Sequence, residues 1–237
     1  MKDVMKSINL KDADVLAVLD KFKNLWYNDL ENFQKYMARV GHNGNEPTIF
    51  EDRNYWVGDK HKNEIINMGR AHNGFPEVLV GYTLKPIRPD EKTPPQFVLR
   101  PNDIQTEYYR QYTKLNAELQ SLLGTNMNAL CAVYPPGGYI SWHNNANAAA
   151  YNIIMTWSEN GNGYWKHVDP NTGEDVLVKD VPGWQAKSFY FGGYEDNRND
   201  LVYHMASTDC WRMTISYVFD RHHEQYCEDT IAMLEND

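Results

Sequence analysis

From Asn126 to about Phe219 the chain alternates short runs of β-branched, aromatic and apolar residues with clusters of Gly, Pro, Asn and Asp. Eight such runs can be read, near 128–134, 139–143, 150–157, 163–168, 174–179, 187–191, 200–206 and 210–219. Spacing this short leaves room for turns between antiparallel strands. It leaves none for the crossover helices that parallel strands require. Strands in this number and rhythm predict a sandwich or a closed or jelly-roll barrel. Sixteen Tyr and seven Trp suit such a fold, because aromatic side chains fit a pleated, half-buried surface.

The first half reads differently. Residues 12–40 carry Val15, Leu16, Leu19, Phe22, Leu25 and Trp26 at helical spacing, with Asp12 or Asp14 as the cap and Gly41 and Asn43-Gly44 as the stop. Residues 45–75 give mixed signals. Glu77 to Lys85 reads as a strand, and Pro86, Pro89, Pro94, Pro95 and Pro101 make 86–102 a loop. That loop carries Arg88, Lys92 and Arg100 and is a candidate lid. A second helix is predicted from Asn102 or Asp103 to about Leu123, ended by Gly124. The expected organisation is one globular domain: residues 1–125 as a helical and mixed part packing on a core, 126–221 as the β core, and 222–237 as a tail, helical and polar or frayed.

The charge balance of −9 argues against a broad nucleic-acid footprint, which needs clustered Lys and Arg, while leaving room for a local basic groove. Cys131, Cys210 and Cys227 are odd in number and lack paired spacing. They are expected as reduced thiols in a cytoplasmic protein. No long apolar run follows Met1-Lys-Asp-Val, so no signal peptide is expected, and no stretch approaches a membrane span.

The chemistry concentrates in Tyr134-Pro-Pro-Gly-Gly-Tyr-Ile-Ser-Trp-His143-Asn-Asn145, together with His204 and Arg212. Two His and a short oxygen-bearing side chain, with positions left open, suit a mononuclear non-haem iron. Arg212, Thr214 and Ser216 alternate with Trp211, Met213, Ile215, Tyr217 and Phe219, so a strand puts the Arg and both hydroxyls on one face. A guanidinium flanked by hydroxyls is a receptor for a carboxylate, and a structural ion pair is the alternative use of such an Arg.

These residues resemble the Fe(II)- and 2-oxoglutarate-dependent dioxygenases. That family shows a His-x-Asp on one strand, a second His about sixty residues later and a basic residue about ten beyond it. Here the two His are 61 apart and Arg212 follows His204 by eight. The run from Tyr134 to His143 is similar to the Tyr-x-x-Gly-x-x-x-x-x-His of the prolyl-hydroxylase-like and DNA-repair-demethylase-like branches. Tyr151-Asn-Ile-Ile-Met-Thr-Trp157, Gly161-Asn-Gly163, Val181-Pro-Gly183 and Ser188-Phe-Tyr-Phe191 resemble its later strands and turns. The resemblance covers about residues 126–220. It implies a double-stranded β-helix (jelly-roll, cupin-like) core preceded by helices. It also implies Fe(II) on His143, Asn145 and His204, and 2-oxoglutarate held by Arg212 with Tyr134, Thr214 and Ser216. The implied reaction consumes O₂ and hydroxylates an unactivated C–H of a small-molecule or peptide substrate, releasing succinate and CO₂.

Asn145 stands where the family has Asp. Its carbonyl can bind metal without the charge, giving a weaker site in a working enzyme. The position can be vacant, as in halogenase-like variants that take chloride. The site can be degenerate, leaving a cupin-like binding protein. Or the motif lies elsewhere: His167-Val-Asp169 is a literal His-x-Asp, although Asp169-Pro-Asn-Thr-Gly173 is also a turn sequence, and Asn144 and Asn147 are further local donors.

Overall fold

The computed structural model describes residues 5–36, 39–40, 52–84, 103–146, 148–195 and 201–236. The candidate lid and Asn147 lie outside the described residues.

Among the described residues, eleven strands form two facing antiparallel layers, a jelly-roll core with the three longest helices on one layer and shorter ones against the other. They are β1 (Met5–Ile8), β2 (Arg39–Val40), β3 (Leu79–Thr83), β4 (Asn128–Tyr134), β5 (Tyr139–His143), β6 (Ala150–Ser158), β7 (Gly163–Val168), β8 (Asp175–Lys179), β9 (Gly183–Phe191), β10 (His204–Thr208) and β11 (Arg212–Asp220). The strand order is β1-β9-β6-β11-β4-β3-β5-β10-β7-β8, with β2 beside β3. β3 belongs to both layers. Its end pairs with β4 through Tyr82 and Thr83, and its start pairs with β5 through Leu79 and Val80. Gly81 sits at the crossing, where a Cβ would come within 2.8 Å of the Val133 carbonyl.

Period-two alternation decides what each face of the helix-backed layer does. Cys131, Val133, Ile153, Met155, Trp157, Met213, Ile215, Tyr217 and Phe219 point outward and bury against helices. Those helices are α1 (Ala13–Tyr27), α5 (Asp103–Leu123) and α6 (Glu224–Leu234). Val15, Val18, Leu19, Phe22 and Trp26 form the buried face of α1, whose first turn is closed by the Asp12 carboxylate accepting from the Val15 N–H at 2.8 Å. Each fully buried apolar side chain of this layer contributes roughly 1.5–3 kcal/mol of transfer free energy. The opposite, inward face carries Ala132, Tyr134, Phe189 and Phe191, joined across the barrel by Trp165 and Ala206.

Several boundaries differ from the sequence reading. The first helix stops at Tyr27, and α2 (Leu30–Tyr36) starts afresh, with the Asp29 carboxylate accepting from the Asn32 N–H. Helical periodicity runs through this break because both helices pack on the same core. Residues 52–71 form α3 (Arg53–Trp56), α4 (Asp59–Met68) and a 3₁₀ turn (Gly69–Ala71). The strand read at Glu77–Lys85 is present as β3 and joins the two layers, while β1, which pairs with β9, had no counterpart in the sequence reading. The strand read near 200–206 begins at His204 and runs to Thr208, and β9 begins four residues before the predicted start. The tail is a packed helix, burying Cys227, Ile231 and Leu234. No described helix is long and apolar enough to cross a membrane.

Candidate metal and carboxylate site

His143 ends β5 and His204 begins β10, and the two are direct cross-strand partners. Side chains so paired share a face, so both imidazoles enter the barrel. Their ring centroids are 4.0 Å apart. Each Nδ1 lies 2.8 Å from the backbone carbonyl two residues earlier, Ser141 for His143 and Val202 for His204. A carbonyl only accepts, so each Nδ1 carries the proton and each Nε2 keeps its lone pair. Burial favours the neutral ring in both. It pushes His143 down to about 4, and it acts on His204 together with the neighbouring His143. Two neutral imidazoles side by side, with tautomers fixed by the backbone, could serve as metal donors rather than as acids.

Asn145 follows the pair on a loop in left-handed conformation, φ 63°, a region that Asn tolerates. The next residue, Ala146, is also left-handed at φ 54°. Gly74 holds this loop: its carbonyl accepts from the N–H of Asn144 at 3.2 Å and of Asn145 at 2.8 Å. Gly74 itself has φ 81°, and a Cβ there would collide with the backbone of Ala146. Gly74→Ala is therefore expected to displace the loop and to cost about 1–3 kcal/mol, read as a lower urea midpoint.

Asn145 lines the same cavity as His143 and His204. Asn144 is committed elsewhere: its amide donates to the Tyr194 hydroxyl at 2.9 Å and its carbonyl accepts from the Ala146 N–H at 3.0 Å. In the rival His-x-Asp, His167 sits across from His204, its ring packed on Trp165 and Phe189 at 4.4 and 5.3 Å. Asp169 serves its own turn, accepting from the Asn171 N–H at 2.7 Å. Among the described residues, no cluster of three or more His, Cys, Asp or Glu side chains could hold a metal. Any metal here would rest on two imidazoles and, at most, an amide oxygen.

The cavity, about 1760 Å³, runs along the inward face of the helix-backed layer to Arg212. Arg212 is buried at the start of β11, opposite Tyr134 of β4, with its guanidinium 5.7 Å from the Tyr134 ring centroid. Its Nε donates to Asp180 Oδ2 at 2.7 Å and its Nη1 to Thr214 Oγ1 at 2.5 Å. Burial pushes the Tyr134 phenol up to about 12, so it stays protonated and able to donate. Ser216 donates to the Asn152 carbonyl oxygen at 3.1 Å. The structure therefore brings His143, His204, Asn145, Arg212, Tyr134, Thr214 and Ser216 around one cavity.

No protein-family model matches the sequence, and no curated protein matches it. Among solved structures, the fold is similar to a prolyl-4-hydroxylase of Pseudomonas putida at 14% identity and a TM-score of 0.38, covering 92% of this chain and 91% of that one. It is also similar to the dioxygenase for auxin oxidation of Arabidopsis thaliana, in its complex with 2-oxoglutarate, at 11% identity and a TM-score of 0.31, covering 86% and 78%. The rice dioxygenase for auxin oxidation follows at 15% and 0.22, covering 55% and 50%. These are distant likenesses of fold, and the chemistry of the site follows from its own residues.

Two polar residues of this wall escaped the sequence reading. Asp180, whose side chain is fully buried, takes the Arg212 Nε. In sequence it sits in Lys179-Asp-Val-Pro-Gly183 and reads as a turn residue. Lys187 points inward from β9 at 4% exposure, where burial and the nearby Arg212 push its ammonium down to about 8. Its signal was available: Lys187 alternates with Ala186 and Ser188 in a strand whose true start is Gly183.

Proposed function

We propose that this protein is a non-haem iron, 2-oxoglutarate-dependent dioxygenase that hydroxylates a C–H of a small-molecule or peptide substrate. One observation carries this reading: two neutral imidazoles with backbone-fixed tautomers share a cavity with a buried arginine. The donor set fits a ferrous ion, a borderline metal that takes imidazole readily and needs open positions for such chemistry. When bound, iron and 2-oxoglutarate supply the oxidation, in which O₂ and the keto acid are consumed, one oxygen atom enters the substrate as hydroxyl, and succinate and CO₂ leave.

The chain's own residues do the rest. His143 and His204 hold the metal without adding charge. Arg212, fixed by Asp180 and Thr214, directs its remaining N–H groups at a carboxylate and sets the length of acid that fits. Tyr134 stays protonated beside it and can donate to the same carboxylate. Trp165 and Phe191, 5.8 and 4.7 Å from the His204 ring, wall the site with apolar surface and exclude water from it.

The neutral Asn145 favours a second reading, a binding module on the same scaffold. Turnover separates the two. The enzyme forms succinate only when iron and 2-oxoglutarate are both present, and the module binds the acid without decarboxylating it. A product that requires chloride would support the halogenase-like variant instead. Asn145→Asp supplies the missing charge beside the imidazoles. It is expected to tighten Fe(II) by about tenfold or more, the scale on which groups around a metal tune it, read by competition with a chelator.

A further inference from the structure

Three buried polar atoms of β9 and β6 lack a hydrogen-bond partner among the described residues, Lys187 Nζ, Gln185 Nε2 and Thr156 Oγ1, and so does Asp180 Oδ1 on the turn before β9. Such atoms are rare in folded proteins, and each calls for a partner that the chain itself does not supply. Strand register groups three of them. Gln185 of β9 pairs with Thr156 of β6, and Thr156 pairs with Thr214 of β11. The next inward row on one side holds Lys187, paired with Ile154. The next on the other side holds Arg212, paired with Ser158. Three adjacent rows thus carry an ammonium, then an amide and two hydroxyls, then a guanidinium, and Lys187, Thr156, Thr214 and Arg212 line the cavity.

The charges on this wall do not cancel. Asp180 and Arg212 form an ion pair at 2.7 Å, and both are buried. Lys187 makes no ion pair among the described residues; Asp180 acts on its charge from further off, and burial and Arg212 outweigh that help. The Lys187 ammonium lies 5.9 Å from the Trp165 ring centroid, which compensates only part of the cost of burying a charge. A buried ammonium flanked by the unpartnered Gln185 amide and Thr156 hydroxyl has donors to offer an anion rich in oxygen.

We propose that Lys187, with Gln185 and Thr156, is a second carboxylate seat in the cavity, so that a dicarboxylate is held by two cations, Lys187 and Arg212. The proposal rests on the functional reading above and adds to it the residue that takes the acid's other charge. The carboxylate on Lys187 can be either end of the keto diacid, and the choice of probe separates the two.

The test uses metal-free full-length protein, wild type and Lys187→Met, titrated with 2-oxoglutarate and with 2-oxopentanoate, which has the same chain length without the distal carboxylate. Binding is read from tryptophan fluorescence and from the thermal midpoint. Lys187→Met removes an unpaired buried charge, so its ligand-free midpoint is expected to rise. Its affinity for 2-oxoglutarate is expected to fall by about 10- to 100-fold, the worth of one hydrogen bond to a charged group. If only 2-oxoglutarate weakens, Lys187 holds the distal carboxylate and the seat at Arg212 is left to the other end of the acid. If both acids weaken equally, Lys187 holds the carboxylate beside the keto group. Wild-type affinity in Lys187→Met, or a variant that no longer folds, overturns the proposal and leaves the functional reading standing. Failure of the metal-free wild type to bind either acid overturns the proposal alone, because the functional reading places iron in the site and is decided by the iron-loaded titration.

Discussion

His204→Ala and His143→Ala are each expected to lose Fe(II) binding by at least about 100-fold and to abolish iron-dependent turnover, with the fold retained. The size follows from the poverty of the donor set. Where a carboxylate shares the load, loss of one imidazole leaves an anionic anchor. Here only one imidazole and an uncharged amide would remain, and changes even in groups that merely support a metal ligand cost 10–100-fold. The fold should survive because both rings line a cavity, and the Nδ1 of each is held by a carbonyl of its own segment. Equilibrium dialysis against ferrous iron under nitrogen, with circular dichroism as the control, reads both quantities. Iron retained by both variants would place the metal elsewhere.

The second large effect concerns Arg212. Arg212→Met leaves Asp180 buried with its charge unpaired, which costs about 3–5 kcal/mol when one partner of a buried pair is removed. A much lower urea midpoint is expected together with loss of 2-oxoglutarate binding. Those two losses have different causes, and a double variant separates them. Arg212→Met with Asp180→Leu removes both charges, so most of the stability should return. Binding of the acid should not return, because the guanidinium is still missing. If the double variant regains both, Arg212 is only the structural partner of Asp180.

Much of this site was legible as alternation. In β11 the sequence places Arg212, Thr214 and Ser216 on one face and Met213, Ile215, Tyr217 and Phe219 on the other, and the structure sends the first set to the cavity and the second to the helices. The strand ending at His143 was readable because Gly137 and Gly138 bound it on one side and the Asn-rich loop on the other. The failures are equally physical. β1 is four residues long and gains its strand character from pairing with β9, which no local pattern announces. The start of β9 is masked by Pro182-Gly183 and the polar Gln185 and Lys187, whose inward aim depends on the whole barrel. Asp180 looks like a turn residue until its carboxylate is found on Arg212, 32 positions away in sequence. Polar residues on an inward wall break the apolar signal that marks a buried strand, so the residues most relevant to a ligand are the ones the pattern conceals.

The most direct test of the central claim is an anaerobic titration of the protein with Fe(II) and then 2-oxoglutarate, followed by visible absorption. A keto acid chelated to ferrous iron gives a charge-transfer band that neither component gives alone. The band is expected in the wild type at one equivalent of iron, and absent in His204→Ala and in Arg212→Met. No band in the wild type at saturating iron and acid would contradict the assignment of these imidazoles and this guanidinium to one keto-acid site.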